Sequence, residues 1–332
     1  MLEWMKKLSS RGRSNKDVSK DSKEKFLVSL SEDMLEKNDD QVSSKRSSNS
    51  IYEKKFVKES KFIVCNGVDG SIWITHKDDK MIGESLRYTG RFQEADVEKC
   101  VCILRSLENI RDLRNFIDIG ANIGTHSLKA AKLGFNAVFS IEPVPINFKL
   151  LSANTIMNDY DNIITPINTA VSSSAGTVFM ELSPSNFGDH RVKGGKAGPL
   201  DTHGEKNWGQ QKVSTETLDG IMSFYNIDVS NGSLVWIDTQ GHEGHVLFGA
   251  EQLRASGCPI AVEFWPYGLN RSGGFNLFKS ALSEYNTIID LKKSSVDEIS
   301  YIRHNDIDLI FEDMLMAETN LDSPHTDLLL IK

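Results

Sequence analysis

Short apolar runs alternate with amphipathic segments along the chain after residue 114. Apolar runs of about four to eight residues bounded by polar residues predict buried strands, and apolar residues spaced by three or four predict helices. Because strands that alternate with helices usually pair in parallel, the pattern predicts an α/β three-layer sandwich around a mostly parallel sheet. The seven predicted strands are residues 115–119, 137–141, 163–167, 234–238, 260–264, 286–291 and 327–331.

A β-hairpin and a helix are predicted just before this sheet. Residues 61–75 hold two β-rich runs around the turn sequence NGVDG, and residues 94–107 carry apolar residues at helical spacing. Residues 86–94 between them are predicted to form a loop. We expect residues 61–114 to form a cap on the ligand edge of the sheet, and residues 115–332 to form the main domain.

The middle of the chain has a weaker pattern. Residues 177–182 predict an extra strand, residues 183–212 a glycine-rich irregular loop, and residues 214–225 a capped helix. Loops as long as residues 183–212 are usually functional or disordered.

The first 60 residues are rich in Ser, Lys, Glu and Asp and contain few large apolar side chains. Such a segment buries too little apolar surface to offset the entropy lost on ordering. We therefore predict a disordered tail, and both a recruitment role and a solvated linker are compatible with its composition.

Composition narrows the class of protein. The chain of 332 residues is 39% hydrophobic and 25% charged, as expected of a soluble globular protein, and its net charge of -8 argues against nucleic acid or an anionic membrane as the main partner. It has neither a run of about 20 apolar residues, long enough to span a bilayer, nor an apolar signal-peptide core. Its four cysteines lack a CxxC pair, which favours reduced thiols and a cytoplasmic location.

The first candidate site is the turn in FIDIGANIGTHS, which follows the strand at residues 115–119. Asp118 ends the strand, and Gly120 and Gly124 bracket the turn. A dinucleotide fingerprint needs a middle glycine, which is Asn122 here, so a pyrophosphate could not approach closely. The turn is better suited to a ligand with an amine and a ribose, and S-adenosylmethionine is such a ligand. A purely structural turn is the alternative.

Two later positions fit the same ligand. Glu142 ends the next strand, where an acidic residue can accept hydrogen bonds from both ribose hydroxyls. The small residues around Ala170, after the third strand, are suited to the edge where an adenine would lie.

Polar side chains crowd the turn of VWIDTQGHEGHVLFGAEQL. Asp238 is expected to approach the reacting methyl group, and His242 or Glu243 to remove a proton from a nucleophilic hydroxyl. The order GHEGH differs from the HExxH zinc motif, so we predict no metal, although a catalytic metal is the alternative. Glu263, in the apolar strand IAVEF, points to the same edge as a support or a substrate contact.

These segments, in order and spacing over residues 88–265, resemble the FkbM-family S-adenosylmethionine-dependent methyltransferases. The resemblance implies a class I methyltransferase fold and O-methylation of a hydroxyl on a sugar, glycan or natural product. It implies that the cofactor is held by Asp118, Gly120, Asn122, Gly124 and Glu142, and that residues 238–243 line the reaction site. By the same resemblance, Gln93 contacts the cofactor, at a position where the family more often has Glu.

One departure from the family concerns Gln240, where many members have Glu. It leaves a non-catalytic cofactor-binding or scaffold protein as an alternative, and a nicotinamide dehydrogenase is disfavoured by the missing glycine. The sequence does not identify the acceptor, which is expected to be a small molecule or carbohydrate. The charged side chains of the long loop are as consistent with an anionic or sugar acceptor as with solvated loop charge; they are His190, Arg191, Lys193, Lys196 and His203.

Overall fold

The apolar runs of the sequence form the strands of the computed structural model, which describes residues 60–194, 201–229, 232–319 and 322–332. The predicted tail therefore lies outside the described residues, except for Ser60. The strands are β1 (Phe62–Asn66), β2 (Ile72–His76), β3 (Asn115–Ile119), β4 (Ala137–Ile141), β5 (Ile164–Ile167), β6 (Ala170–Val171), β7 (Gly176–Leu182), β8 (Arg191–Val192), β9 (Gly209–Glu216), β10 (Leu234–Ile237), β11 (Ile260–Phe264), β12 (Thr287–Asp290) and β13 (Thr326–Ile331).

The central sheet has seven strands in the order β12-β13-β11-β10-β3-β4-β5. Strand β13 runs antiparallel to both of its neighbours, and the pairs from β11 to β5 are parallel. The predicted class I methyltransferase architecture, with a mostly parallel seven-stranded sheet, is confirmed. Strands β3 and β10 lie side by side at the centre, so the glycine turn and the Asp238 turn leave the same edge.

Helices cover both faces of this sheet, and alternate side chains of each strand enter opposite cores. Phe116 packs in one core with the cap, and Ile117 packs in the other core. The helices are α1 (Ile82–Thr89), α2 (Glu94–Ser106), α3 (Thr125–Leu133), α4 (Pro145–Met157), α5 (Leu218–Tyr225), α6 (Glu243–Phe248), α7 (Glu251–Ser256), α8 (Pro266–Ser272), α9 (Phe275–Leu282) and α10 (Ile307–Ala317).

The hairpin β1–β2 and helix α2 form where the sequence predicted them, and residues 61–332 make up one compact unit. Two asparagines, Asn154 of α4 and Asn158 directly after it, bind the edge of β2 that does not pair with β1. The amide of Asn158 bonds the backbone N–H and carbonyl of Ile72, and Asn154 does the same at Ile74. Asn154 also donates to the carbonyl of Ile123 at 2.9 Å, so the hairpin is tied to the glycine turn.

A second sheet of four strands, in the order β6-β9-β7-β8, was not predicted as a sheet. The predicted strand at residues 177–182 is β7, but two short parts of the predicted irregular loop form β8 and the start of β9. The helix predicted at residues 214–225 begins only at Leu218, where the Thr217 hydroxyl accepts the N–H of Gly220. Residues 209–216 are instead extended, because they pair along the full length of β7. Such pairing between distant segments leaves no local pattern.

The cap also contains helix α1, which was not predicted and whose second half falls in the predicted loop at residues 86–94. Helix α1 buries Ile82 and Leu86, one turn apart, and ends at Gly90, which has a left-handed φ of 67°. Arg87 fixes the helix by donating to the backbone carbonyls of His76 and Asp79, at 3.0 and 2.9 Å. Helices α8 and α10 were likewise not predicted.

Candidate functional site

The turn between β3 and α3 brings its backbone against the end of β10. Gly120 has a φ of 89°, and a Cβ atom there would lie 1.7 Å from the carbonyl oxygen of Asp238. Only glycine fits this approach. Asn122 also has a left-handed φ, of 50°, and directs its backbone N–H toward the end of β4. The predicted glycine turn is therefore a tight junction of the two central strands.

Asp118 supports this turn through a hydrogen-bond network that links β3, α3 and β4. Its carboxylate accepts a hydrogen bond from the Ser127 hydroxyl of α3, which in turn bonds the Ser140 hydroxyl at 2.7 Å. Burial raises the pKa of Asp118 to about 7. Asp118 was predicted to hold the cofactor, but its side chain is not in the wall of either cavity described below. The structure corrects its place to one behind the turn, where it holds α3 to β3 and β4.

Glu142 stands at the end of β4, beside the glycine turn. Its two carboxylate oxygens accept backbone N–H groups of Asn122 at 2.9 Å and Val144 at 2.7 Å. The side chain is buried, and this burial raises its pKa to about 8 even though both donors favour the charged form. The carboxyl is thereby fixed in position, with lone pairs left for further donors.

The raised pKa of Glu142 predicts a pH-dependent stability. In the unfolded chain a glutamate ionises near 4.5, whereas the folded carboxyl ionises near 8. The stabilisation by the folded carboxyl is therefore full below about pH 4.5. It decreases as the pH rises above that value and is lost once the pH has passed through the folded pKa of about 8. We expect the ligand-free wild type to lose about 3 kcal/mol relative to Glu142→Gln between about pH 5.5 and pH 8, measured by urea unfolding. The other ionisable groups are common to both proteins, and a pH-independent difference would contradict this account.

A narrow cavity of about 40 Å³ opens between the glycine turn, Glu142 and the second sheet. Ala170, predicted to lie near an adenine, is in its wall. Three polar atoms of other wall residues are buried without any hydrogen-bond partner, namely Asn122 Oδ1, Asn147 Oδ1 and His242 Nδ1. Because buried polar atoms normally find partners, these atoms indicate a place for a polar ligand.

The segment between β7 and β8 covers this cavity. The carbonyl of Phe187 accepts hydrogen bonds from the side-chain amides of Asn122 at 2.8 Å and Asn147 at 3.0 Å. The Phe187 ring packs on His76 of the hairpin, with 4.6 Å between ring centroids. Sequence reasoning missed Phe187 and Asn147, because neither lies in a recognisable motif and the covering segment is positioned by contacts distant in the chain.

A second cavity of about 510 Å³ adjoins the first, and Gly120, Asn122, Asp238 and Gln240 line both. Gln93, which precedes α2 with a left-handed φ of 51°, lies in the wall of the larger cavity. The predicted contact of Gln93 with a cofactor is therefore geometrically possible and stays a prediction.

Two carboxylates in the wall of the larger cavity share one amide. Gln240 Nε2 donates to Asp238 Oδ1 at 2.6 Å and lies 3.2 Å from Glu263 Oε2. Asp238, at the end of β10, is partly exposed to the cavity, and Glu263 on β11 is buried. Burial raises the pKa of both groups. The predicted convergence of Asp238 and Glu263 at one edge is confirmed.

His242 and Glu243 occupy places other than those predicted for a catalytic base. The Glu243 carboxylate accepts the N–H groups of Thr239 and Gly241 and the Thr239 hydroxyl, and it lines neither cavity. It holds the turn. His242 lines only the narrow cavity, where its Nε2 lies 2.9 Å from the Ser172 hydroxyl, and burial lowers its pKa to about 3. Neither residue reaches the larger cavity.

The described loop residues Arg191 and Lys193 do not place a free positive charge in either cavity. Arg191 is buried and paired with Asp189 and Glu205, and Lys193 donates to the amide oxygen of Gln210. The predicted hint of an anionic acceptor loses its main support. Lys196 lies outside the described residues.

Two absences hold for the described residues. No helix there is both long and apolar enough to cross a bilayer. Nor does this part of the chain bring together three or more His, Cys, Asp or Glu side chains that could hold a metal ion. The cytoplasmic location stays a prediction.

Comparison with known proteins matches the same region. Residues 118–279 match the family model of the methyltransferase FkbM domain. The methyltransferase sdnD of Sordaria araneosa is 27% identical over 155 residues, which cover 41% of this chain and 60% of that protein. The chain therefore spans less than two thirds of this curated relative.

Among solved structures, a methyltransferase FkbM from Methylobacillus flagellatus KT is 16% identical, with a TM-score of 0.38 over 72% of this chain and 55% of that chain. A putative O-methyltransferase from Klebsiella pneumoniae is 7% identical, also with a TM-score of 0.38, over 73% and 81% of the two chains. The family model spans both the glycine turn and the Asp238 turn, so this region of the chain is similar to FkbM methyltransferase domains.

Proposed function

We propose that this protein transfers a methyl group from S-adenosylmethionine to a hydroxyl group of a small-molecule or carbohydrate acceptor. The observation that carries the proposal is the junction of two cavities at the glycine turn. One cavity is narrow and carries unpartnered polar atoms, and the other is wide and carries two carboxylates. A donor in the first and an acceptor in the second would meet at Gly120, Asp238 and Gln240.

The residues present fit the proposed cofactor. Glu142 offers a fixed carboxyl suited to ribose hydroxyls, and the unpartnered Asn122, Asn147 and His242 atoms lie in the same wall. The backbone around Ala170 would border the adenine. The methionine end would lie along the glycine turn, which borders both cavities, on the side where Gln93 is in the wall of the wide cavity. When bound, S-adenosylmethionine supplies an electrophilic methyl group on a sulfonium.

The chain's own contribution is orientation, exclusion of water and acceptance of a proton. Phe187 closes the narrow cavity through its bonds to Asn122 and Asn147. Asp238 and Gln240 border both cavities and so lie where the two ligands would meet. Alignment of two bound reactants alone can account for a large part of a rate enhancement.

The wide cavity supports a neutral, hydroxyl-bearing acceptor. Its wall includes the ring of Trp265 and polar groups such as His203, Asn186 and Ser323. The cation in the same wall, Arg191, is already neutralised by two carboxylates. An anionic acceptor would therefore meet the carboxylates of Asp238 and Glu263 without a compensating charge.

Calorimetry and a labelled-methyl assay test the proposal together. We expect wild-type protein to bind S-adenosylhomocysteine, and to transfer the labelled methyl group of S-adenosylmethionine to a product of a fractionated extract identified by mass. Glu142→Gln should weaken binding by about tenfold or more, because an NH2 donor replaces one of the two acceptor oxygens of the carboxyl group. Glu312→Gln, on an exposed part of α10, is the matched control and should bind like wild type. Absence of binding by wild type would refute the proposal.

A further inference from the structure

The amide of Gln240 is held between two carboxylates by its backbone. Gln240 has a left-handed φ of 53°, which is unfavourable for a side-chain-bearing residue. The turn is fixed in this conformation by Glu243, which accepts the N–H groups on both sides of Gln240, at Thr239 and Gly241. The structure therefore maintains a strained turn that aims one side chain at Asp238 and Glu263.

The two carboxylates differ in the space they face. Asp238 lines both cavities and stands at their junction, whereas Glu263 lines only the wide one. Glu263 is therefore on the acceptor side of the junction. It lies one strand further along the sheet, since β10 and β11 are parallel neighbours.

The charges around Glu263 favour proton uptake. Asp327 is directly opposite on β13, and Asp238 and Glu243 face Glu263 from the β10 turn. Burial and these three carboxylates raise the pKa of Glu263 well above its ordinary value, and Lys292 opposes them. A carboxylate with a raised pKa is a stronger base than an exposed one, provided that it is ionised when the acceptor binds.

Other titratable groups in the same wall are less suitable. His126 is buried against Trp236, and this burial lowers its pKa to about 4. Asp189 is already ion-paired with Arg191. Of the carboxylates in this wall, Glu263 combines burial, a position on the acceptor side and a hydrogen bond that fixes it.

We propose that Glu263 is the catalytic base that accepts the proton of the acceptor hydroxyl, and that Gln240 is its positioning residue. This inference rests on the proposed function. The acceptor O–H bond breaks and its proton passes to a Glu263 oxygen. The acceptor oxygen forms the new bond to the methyl carbon, while the carbon–sulfur bond of the donor breaks and its electron pair stays on sulfur. The proton later leaves Glu263 to solvent.

The test compares Glu263→Gln with wild type in the labelled-methyl assay and in calorimetry. The variant keeps the size and polarity of the side chain but cannot take up the proton. We expect transfer to fall by about a hundredfold or more, as for loss of a general base, while the affinity for S-adenosylhomocysteine stays within about threefold. Glu312→Gln is the matched control and should transfer like wild type.

Gln240→Met tests the positioning role through the pH profile. Removing the amide donor destabilises the ionised carboxylates, so the acid limb of the transfer rate should move to higher pH while the plateau at high pH is largely retained. A merely structural residue would lower the rate at every pH without moving the limb. If the acid limb of the transfer rate of Gln240→Met lies at the same pH as that of wild type, Gln240 is not a positioning residue.

A readout without acceptor separates the two proposals. In protein labelled with ¹³C at the glutamate carboxyls, one resonance absent from Glu263→Gln should titrate well above the ordinary range of a glutamate carboxyl. If Glu263 titrates within that ordinary range, or if Glu263→Gln transfers methyl groups like wild type, the base assignment fails while the proposed function stands. If wild type neither binds S-adenosylhomocysteine nor transfers a methyl group, the proposed function fails and the base assignment falls with it.

Discussion

Gly120→Ala is expected to destabilise the protein by more than about 4 kcal/mol or to prevent folding. The added Cβ atom would lie 1.7 Å from the carbonyl oxygen of Asp238 and 2.8 Å from its carbonyl carbon. That carbonyl belongs to the backbone at the end of the central strand β10, whose Asp238 N–H is bonded to the carbonyl of Ile119 at 2.9 Å. It cannot turn aside as a flexible side chain could, so relief requires separating the two central strands.

Gly134→Ala is the matched control for this prediction. Gly134 has a φ of 98°, similar to the 89° of Gly120, but an added Cβ atom there meets nothing within 4 Å. Both substitutions carry the left-handed backbone penalty of about 1–2 kcal/mol, and only Gly120→Ala adds the clash. Urea unfolding of both variants measures the difference. Equal losses of stability would show that the strands can separate at little cost, and would remove the argument for a tight junction.

Arg191→Met should have the second largest effect, a loss of about 3–5 kcal/mol. The Arg191 guanidinium is buried between the rings of Trp208 and Trp265, at 4.8 and 4.6 Å from their centroids. Its Nη1 atom lies 3.0 Å from Glu205, which is fully buried, and its Nη2 atom pairs with Asp189. Methionine preserves much of the volume but leaves both carboxylates without this cation.

The control for Arg191→Met is Arg303→Met, which breaks a surface pair with Asp306. Exposed ion pairs contribute little, so its unfolding midpoint should match that of wild type. Arg191→Lys should recover only part of the loss, because an ammonium cannot lie flat between two rings and pair with two carboxylates at once. Unfolding of Arg191→Met at the wild-type midpoint would contradict this prediction. It would mean that Arg271 and Tyr267, which also contact Glu205, are enough to stabilise this buried carboxylate.

These two substitutions differ in what the sequence reveals about them. Gly120 belongs to a recognisable strand–turn–helix pattern, so its importance could be predicted. The physical reason for its importance could not be predicted, since the clash involves Asp238, more than a hundred residues later in the chain. Arg191 was predicted as a loop charge that an anionic acceptor could use. It is instead an internal ion pair, because β7 and β9 fold its segment against Trp265.

For the predicted catalytic residues, too, the sequence reveals their position in the chain but not the direction of each side chain. The motif placed Asp238, Gln240, His242 and Glu243 on one turn, and all four are there. Which of them faces ligand depends on the direction of each side chain after the turn. Glu243 turns back to bond its own backbone, and Gln240 turns toward Glu263 on the next strand.

The sequence alone determined the α/β class, the strands of the central sheet, the hairpin, the glycine turn and the family resemblance. Each is encoded by residues adjacent in the chain, through apolar periodicity or a short motif. The second sheet, the cover formed by Phe187, the neutralised Arg191 and the pairing of Asp238 with Glu263 were decided only by the tertiary structure. Each depends on contacts between segments far apart in sequence, whose energy appears only when the sheet brings them together.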